Sequence, residues 1–224
     1  MHIPDGFIDV PTSAAFVGLS AIGVGAALKG ARTQLDDKTA PLAGLTAVFI
    51  FAVQMLNFPV VAGTSGHLIG AALAAVLVGP WAAALALTVV LLMQAFLFAD
   101  GGLTALGLSV FNMSIISVWV GYAVFLVIKK ILPKNKSSVA VAAAIAAAVS
   151  VPAAAFGFWI QYVIGATGTF SDSAVFTSMI GIHVLIGIGE AIITGLTVSA
   201  VLASRSDLVF GWKNNQKALE IKNV

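Results

Sequence analysis

Cysteine is absent from the 224 residues, and charged side chains make up only 9% of them. Without thiols there is neither a disulfide framework nor a thiolate metal site. Any metal must be held by nitrogen, by oxygen or by the weak thioether of methionine. So little charge excludes an ordinary soluble domain, in which about a quarter of the residues are Asp, Glu, Lys or Arg. Basic residues are missing from the long apolar stretches. The opening MHIPDGFIDVP holds two aspartates and no Lys or Arg, unlike a secretory signal, so the mature chain is expected to begin at or near Met1. No Gly-rich phosphate loop closing on Lys-Ser or Lys-Thr is found, and nucleotide hydrolysis is therefore expected elsewhere.

What remains is apolar: 60% of residues are hydrophobic and the mean hydropathy is +1.07. Apolar stretches fall at 12–28, 40–58, 64–79, 81–99, 103–128, 138–165 and 176–203. Most approach the ~20 residues that cross a hydrocarbon core as a helix, and the third is short. Gly79-Pro80-Trp81 divides the third from the fourth, since proline is disfavoured inside a helix. Pro152 is a candidate kink in the sixth. The runs are too long and continuous for the alternating strands of a barrel. The reading is an all-α, multi-pass membrane protein of about seven helices.

The basic residues give it a direction. Lys29, Arg32 and Lys38 follow the first stretch. Lys129, Lys130, Lys134 and Lys136 follow the fifth, and Arg205, Lys213, Lys217 and Lys222 the seventh; together these are all 11 in the chain. Asp5, Asp9, Asp100 and Asp172 fall on the opposite face. Lys and Arg collect on the cytoplasmic side, so the N-terminus is expected outside and the C-terminus inside. This also explains a net charge of +2 without nucleic acid as a partner. The chain reads as one membrane domain over 1–203 with a polar cytoplasmic tail, 204–224, in the cell (inner or plasma) membrane.

Ionisable residues inside such spans are costly and are functional candidates. The chain has His67, His183 and Glu190, and His2 joins them from the outer end. All three histidines fall at a similar outer depth. A lone membrane histidine more often joins helices by hydrogen bonding, and His2 could be no more than an ordered second residue. Met1-His2, however, offers the α-amine, the His2 amide nitrogen and the imidazole Nδ1 in series. Around one ion these close a five- and a six-membered ring, filling three corners of a square plane. His67 could supply the fourth. Planar nitrogen sets suit Ni(II) or Cu(II) and can accept Co(II). Glu190, seven residues after His183 on the same helix face, reads as structural or supporting, with Gln54, Gln94, Asn112, Gln161 or Thr194 as partners. Gln54 and Asn57 form an i,i+3 pair.

Other readings compete. Gly63-Thr64-Ser65-Gly66 fits the G-x-S-G pattern of intramembrane serine proteases, with His183 as a base. Ala14, Gly18, Ala21 and Gly25 line one face of the first span, for internal packing or for docking a partner. A vitamin, or an ion that prefers oxygen, is a third possibility for the cargo of a transporter.

Larger blocks narrow the choice. MHIPDGF (1–7), QMLNFPVVAGTSGHLIGAAL (54–73), LVGPWAA (77–83), QAFLFADGGLTALG (94–107), FNM (111–113) and IHVLIGIGEAIITG (182–195) occur in order. In these the chain resembles the CbiM/NikM family, the substrate-specific membrane components of energy-coupling-factor importers for cobalt and nickel. The resemblance implies a seven-helix fold whose N-terminal loop, 1–11, tucks into the bundle. It also implies a site for Co2+ or Ni2+ made by Met1, His2 and His67, with no cofactor and no enzymatic activity of the chain's own. It implies a transmembrane coupling subunit, cytosolic ATPase subunits and a small accessory membrane protein as partners. His183, Glu190, Gln54, Asn57, Ser65, Gln94 and Asn112 are the supporting or pathway candidates. Ser109 stands where relatives often have Asn. Cobalt, as supply for cobalamin biosynthesis, is the slightly favoured cargo.

Overall fold

A computed structural model describes residues 1–35, 37, 39–60 and 64–212. Lys38, Gly63, Lys213, Lys217 and Lys222 therefore lie outside the described residues. The chain is mostly helical: α1 (Val10–Gln34), α2 (Thr39–Gln54), α3 (Ala71–Val78), α4 (Pro80–Phe98), α5 (Leu106–Val110), α6 (Ser117–Ile131), α7 (Lys136–Gly165) and α8 (Asp172–Ser204). A π-helical turn, Phe111–Ile116, joins α5 to α6. Among the described residues five helical stretches are long and apolar enough to cross a membrane, and α2, with 16 residues, is shorter. Large apolar side chains stand exposed around the bundle, among them Leu45, Leu56, Phe96, Leu97, Leu185 and Leu196. In water such a surface would aggregate, whereas in lipid it is the expected exterior.

Helix starts follow local chemistry. Asp9 accepts the Thr12 N–H at 2.8 Å, Asn135 the Ser138 N–H at 2.8 Å and Ser171 the Ala174 N–H at 3.3 Å. Each cap satisfies a donor that the first helical turn leaves free. Pro152 lies inside α7, which runs unbroken over 30 residues.

The third apolar stretch differs from the expected span. Residues 64–70 are not helical. Ser65–Gly66 pairs with Phe58–Pro59 as a two-residue antiparallel ribbon, and the chain then runs irregularly to Gly70 before α3 begins. All eight residues of α3 are buried. Non-helical backbone at membrane depth is tolerated only where protein covers it and its polar groups find partners. Here Glu190, on α8, accepts the N–H groups of Ile69 and Gly70, and the Gln54 side chain donates to the Ile69 carbonyl at 2.8 Å. The partners expected for Glu190 were side chains; the structure gives it main chain. At the far end of α3, Gly79 has φ +88°, a conformation that favours glycine, and Pro80 opens α4.

Contacts sort the loops into two ends. At one, Ile3 bonds Gly102, Asp5 bonds Thr104, Asp9 bonds Gly165 and Thr167 bonds Phe7. At the other, Gln34 Oε1 accepts from the Trp81 and Ala82 N–H groups, Thr39 donates to the Gln34 carbonyl, Lys129 to Gly211 and Lys136 to Leu202. The first nine residues of the expected tail are built into this second end. Ser206–Leu208 form a 3-10 turn, Val209 is buried and Phe210 packs against Tyr122.

Candidate metal centre

The N-terminal segment is held from both sides. The loop after α4 and the loop after α7 clamp residues 3–9, and Phe7 packs on Phe158 and Tyr162. Met1 and Ile3 are fully buried. Glycine makes the clamp possible: a Cβ on Gly102 would lie 2.3 Å from the Asp5 nitrogen, and one on Gly101 3.0 Å from the His2 Cβ. The result is an amino terminus carried into the protein interior.

Beneath that clamp the His2 and His67 rings stack, with centroids 4.8 Å apart and planes 30° from parallel. Residues from opposite ends of a long sequence interval thus present imidazoles ring on ring. His67 Nδ1 is bonded to the Leu68 carbonyl at 2.7 Å, and its Nε2 is buried with no partner. A carbonyl at Nδ1 fixes the proton there and leaves the Nε2 lone pair free for a metal. His2 Nε2 lies 3.5 Å from an Asp100 carboxylate oxygen, an arrangement that turns the other ring nitrogen toward ligand duty. The His2 main-chain N–H donates to Ser65 Oγ at 3.3 Å.

Burial pushes the Met1 amine well below its ordinary value, against a smaller opposing pull from Asp100. It also lowers the His2 imidazole, helped by the amine's charge. Docking thus favours the unprotonated form of each group, the form in which it can bind a metal. Asp100, half-buried, is raised by desolvation, with the amine and Asn57 pulling the other way. Among the described residues no group of three or more His, Cys, Asp or Glu side chains converges on one point. The nitrogen donors that the fold brings together here are the two imidazoles and the main chain beside them.

Of the remaining candidates, Ser65, Asn57 and His183 lie around the site, His183 within electrostatic reach of His67 and of the Met1 amine. His183 is buried on α8, its Nδ1 on the Met179 carbonyl at 2.7 Å and its Nε2 without a partner. Ser65 takes the His2 amide while His183 takes Met179, so they are not assembled as nucleophile and base. Glu190 and Gln54 hold the backbone that carries His67. Asn112 and Gln161 exchange two amide bonds, at 2.7 and 3.0 Å, between the π turn and α7. Asn57 donates to Asp100 at 3.0 Å. Gln94 is buried with both side-chain polar atoms unpartnered. Ser109 is buried in α5. Asp100 was read from sequence only as an outer-face charge. The signal for more was the tight Asp-Gly-Gly turn closing an apolar span on the histidines' side.

The family model described as "Cobalt uptake substrate-specific transmembrane region" matches residues 2–208. The chain belongs to the CbiM family. Among CbiM relatives, a protein of Haloquadratum walsbyi named for metal transport is 38% identical over 99% of this chain and 100% of its own length. A fused nickel transport protein, NikMN, of Archaeoglobus fulgidus is 41% identical over 93% of this chain and 68% of its own. The cobalt transport protein CbiM of Sorangium cellulosum is 30% identical over 93% and 94%. The crystal structure of a truncated transition metal transporter superposes with TM-score 0.82 at 33% identity, over 91% of this chain and 99% of that one. This CbiM-family chain is thus a multi-pass membrane component of cobalt or nickel transport.

Proposed function

We propose that the chain is the cargo-capturing subunit of an energy-coupling importer, binding Co2+ or Ni2+ from outside the cell membrane at a planar nitrogen site. The observation that carries this is the stack of His2 on His67 beside a buried amino terminus. Met1 supplies its amine, His2 its Nδ1 and its amide nitrogen, which must first give up to solvent the proton that it now donates to Ser65 Oγ, and His67 its free Nε2. A square of nitrogens suits late first-row divalent ions and rejects Mg2+ or Ca2+, which prefer oxygen. Both cobalt and nickel fit it, and the relatives bear both names.

In this reading α2 crosses the membrane outward and residues 64–78 return. The eight residues of α3 cover about 12 Å at ~1.5 Å per residue, and the irregular residues 64–70 supply the rest of a core of ~30 Å. The end that carries the amino terminus then faces outward and the lysine-rich end inward. ATP hydrolysis belongs to cytosolic subunits acting through a transmembrane coupling subunit, with a small accessory membrane protein assisting.

The test compares purified chain starting at Met1 with the same chain carrying two extra residues before it. The extension keeps both imidazoles and removes the primary amine. The native start is expected to bind one Co2+ or Ni2+. The extension, and separately His67→Ala, should weaken binding by roughly a hundredfold, about 2.8 kcal/mol. Equal affinity in native and extended chains excludes the planar chelate.

A further inference from the structure

Outside the nitrogen site lies an open vestibule of about 350 Å³, lined by His2, Pro4, Asp5, Ser65, Asp100 and the glycine turn that follows. We propose that this vestibule is a separate capture site, in which Asp100 holds a divalent cation through its water shell before the ion reaches the nitrogens. The inference rests on the nitrogen site proposed above and adds the step that precedes it.

Size, charge and donors agree. Six waters at ~30 Å³ each fill roughly 180 Å³, so a fully hydrated ion enters with room to spare. Two carboxylates border the space and no Lys or Arg does, so the field inside attracts cations. Asp5 is already committed, accepting both the N–H and the hydroxyl of Thr104 at 2.7 and 2.6 Å. Asp100 is the less engaged of the two, with one Asn57 amide on Oδ2 at 3.0 Å. The third element is His2, 5% exposed, whose Nε2 has no hydrogen-bond partner and stands 3.5 Å from that same oxygen.

His2 therefore belongs to both compartments. Its Nε2 is buried behind the vestibule, 3.5 Å from the Asp100 carboxylate that would hold the hydrated ion. The other ring nitrogen is available to the planar set, which takes only ions that shed water for nitrogen. Capture and selection become successive steps a single imidazole apart. The turn that bears Asp100 is shaped for the position: Ala99 at φ +52° and Gly101 at φ +93° bend the chain across His2.

Mn2+ separates the two steps, because it prefers oxygen and its free form is read directly by electron paramagnetic resonance. Full-length chain in nanodiscs at low ionic strength is expected to retain Mn2+ weakly, whether it starts at Met1 or carries two extra residues, and Asp100→Asn is expected to lose it in both. In stopped-flow, Asp100→Asn should slow Co2+ association about tenfold with a much smaller change in dissociation. Asp100→Glu should recover the rate, which separates lost charge from lost folding. Mn2+ retention unchanged in Asp100→Asn overturns the capture site. So does a Co2+ defect confined to faster dissociation, which would leave Asp100 only orienting His2. If the extended chain binds Co2+ as tightly as the native start, the planar chelate fails instead, and the Mn2+ arm still decides the vestibule.

Discussion

A carboxylate in the middle of a membrane helix is costly unless it is protonated or paired, and Glu190 is buried with only main-chain N–H groups against it. The cost is matched by what it prevents. Ile69 and Gly70 precede α3, so their N–H groups have no helical acceptor. Leaving a buried donor unmade costs about 1–3 kcal/mol. Two such donors and the Ile69 carbonyl are satisfied by Glu190 and Gln54, and the backbone they hold is the one that presents His67. Glu190→Ala is therefore expected to destabilise the chain by about 2–5 kcal/mol and to weaken Co2+ binding with it. Glu190→Gln keeps an acceptor oxygen and should lose less than half as much. Thermal unfolding and Co2+ titration of the two variants check this; equal, small losses in both would remove Glu190 from any role in holding His67.

At the scale of elements, the apolar runs were legible because length and hydropathy decide a membrane helix. The split third stretch was not. QMLNFPVVAGTSGHLIGAAL is apolar enough for a helix, and its departure depends on a carboxylate that lies 120 or so residues later in the chain. The pairing of Glu190 with main chain leaves no trace in the side-chain chemistry of the sequence. Asp100 looked like one aspartate of four until the fold set it against His2. The π turn at Phe111–Ile116 was invisible for the same reason. The N-terminal segment behaves as an element too, and its docking is linked to pH. In the undocked segment the amine titrates near 8.0 and His2 near 6.5; docking lowers both. The stabilisation is thus fully present above pH 8.0 and is lost as pH falls, because the undocked form binds the extra protons. Between 8.0 and 6.5 one proton is involved, about 1.4 kcal/mol per unit; below 6.5 His2 adds a second. The hydrogen-exchange protection factor of residues 2–9, with the pH dependence of intrinsic exchange divided out, should fall by about tenfold per unit in the first window and more steeply in the next. A flat profile from pH 8 to 6 would mean that the amine is not buried.

For the whole molecule, the number of passes depends on what the chain does between α1 and α4. Gln34 meets Trp81 and Ala82 at the lysine-rich end, so the intervening residues must go out and return, or stay. If α2 and residues 64–78 both cross, the chain has seven passes; if neither does, it has five, and the two ends keep the same orientation either way. Counting basic residues cannot separate these cases, since only Lys38 falls in that interval and parity is unchanged. The turn around Leu56 can. Its neighbour Asn57 bonds Asp100 at the end that carries the amino terminus, and Leu56 is itself 76% exposed. The chain has no native cysteine, so a single introduced thiol reports without background. In intact cells Leu56→Cys is expected to react with a membrane-impermeant maleimide, together with Asp172→Cys. Lys134→Cys should react only after the membrane is opened. Labelling of Leu56→Cys from the inside alone would reduce the count to five and place the approach to His67 on the cytoplasmic side, which an outward-facing capture site does not allow.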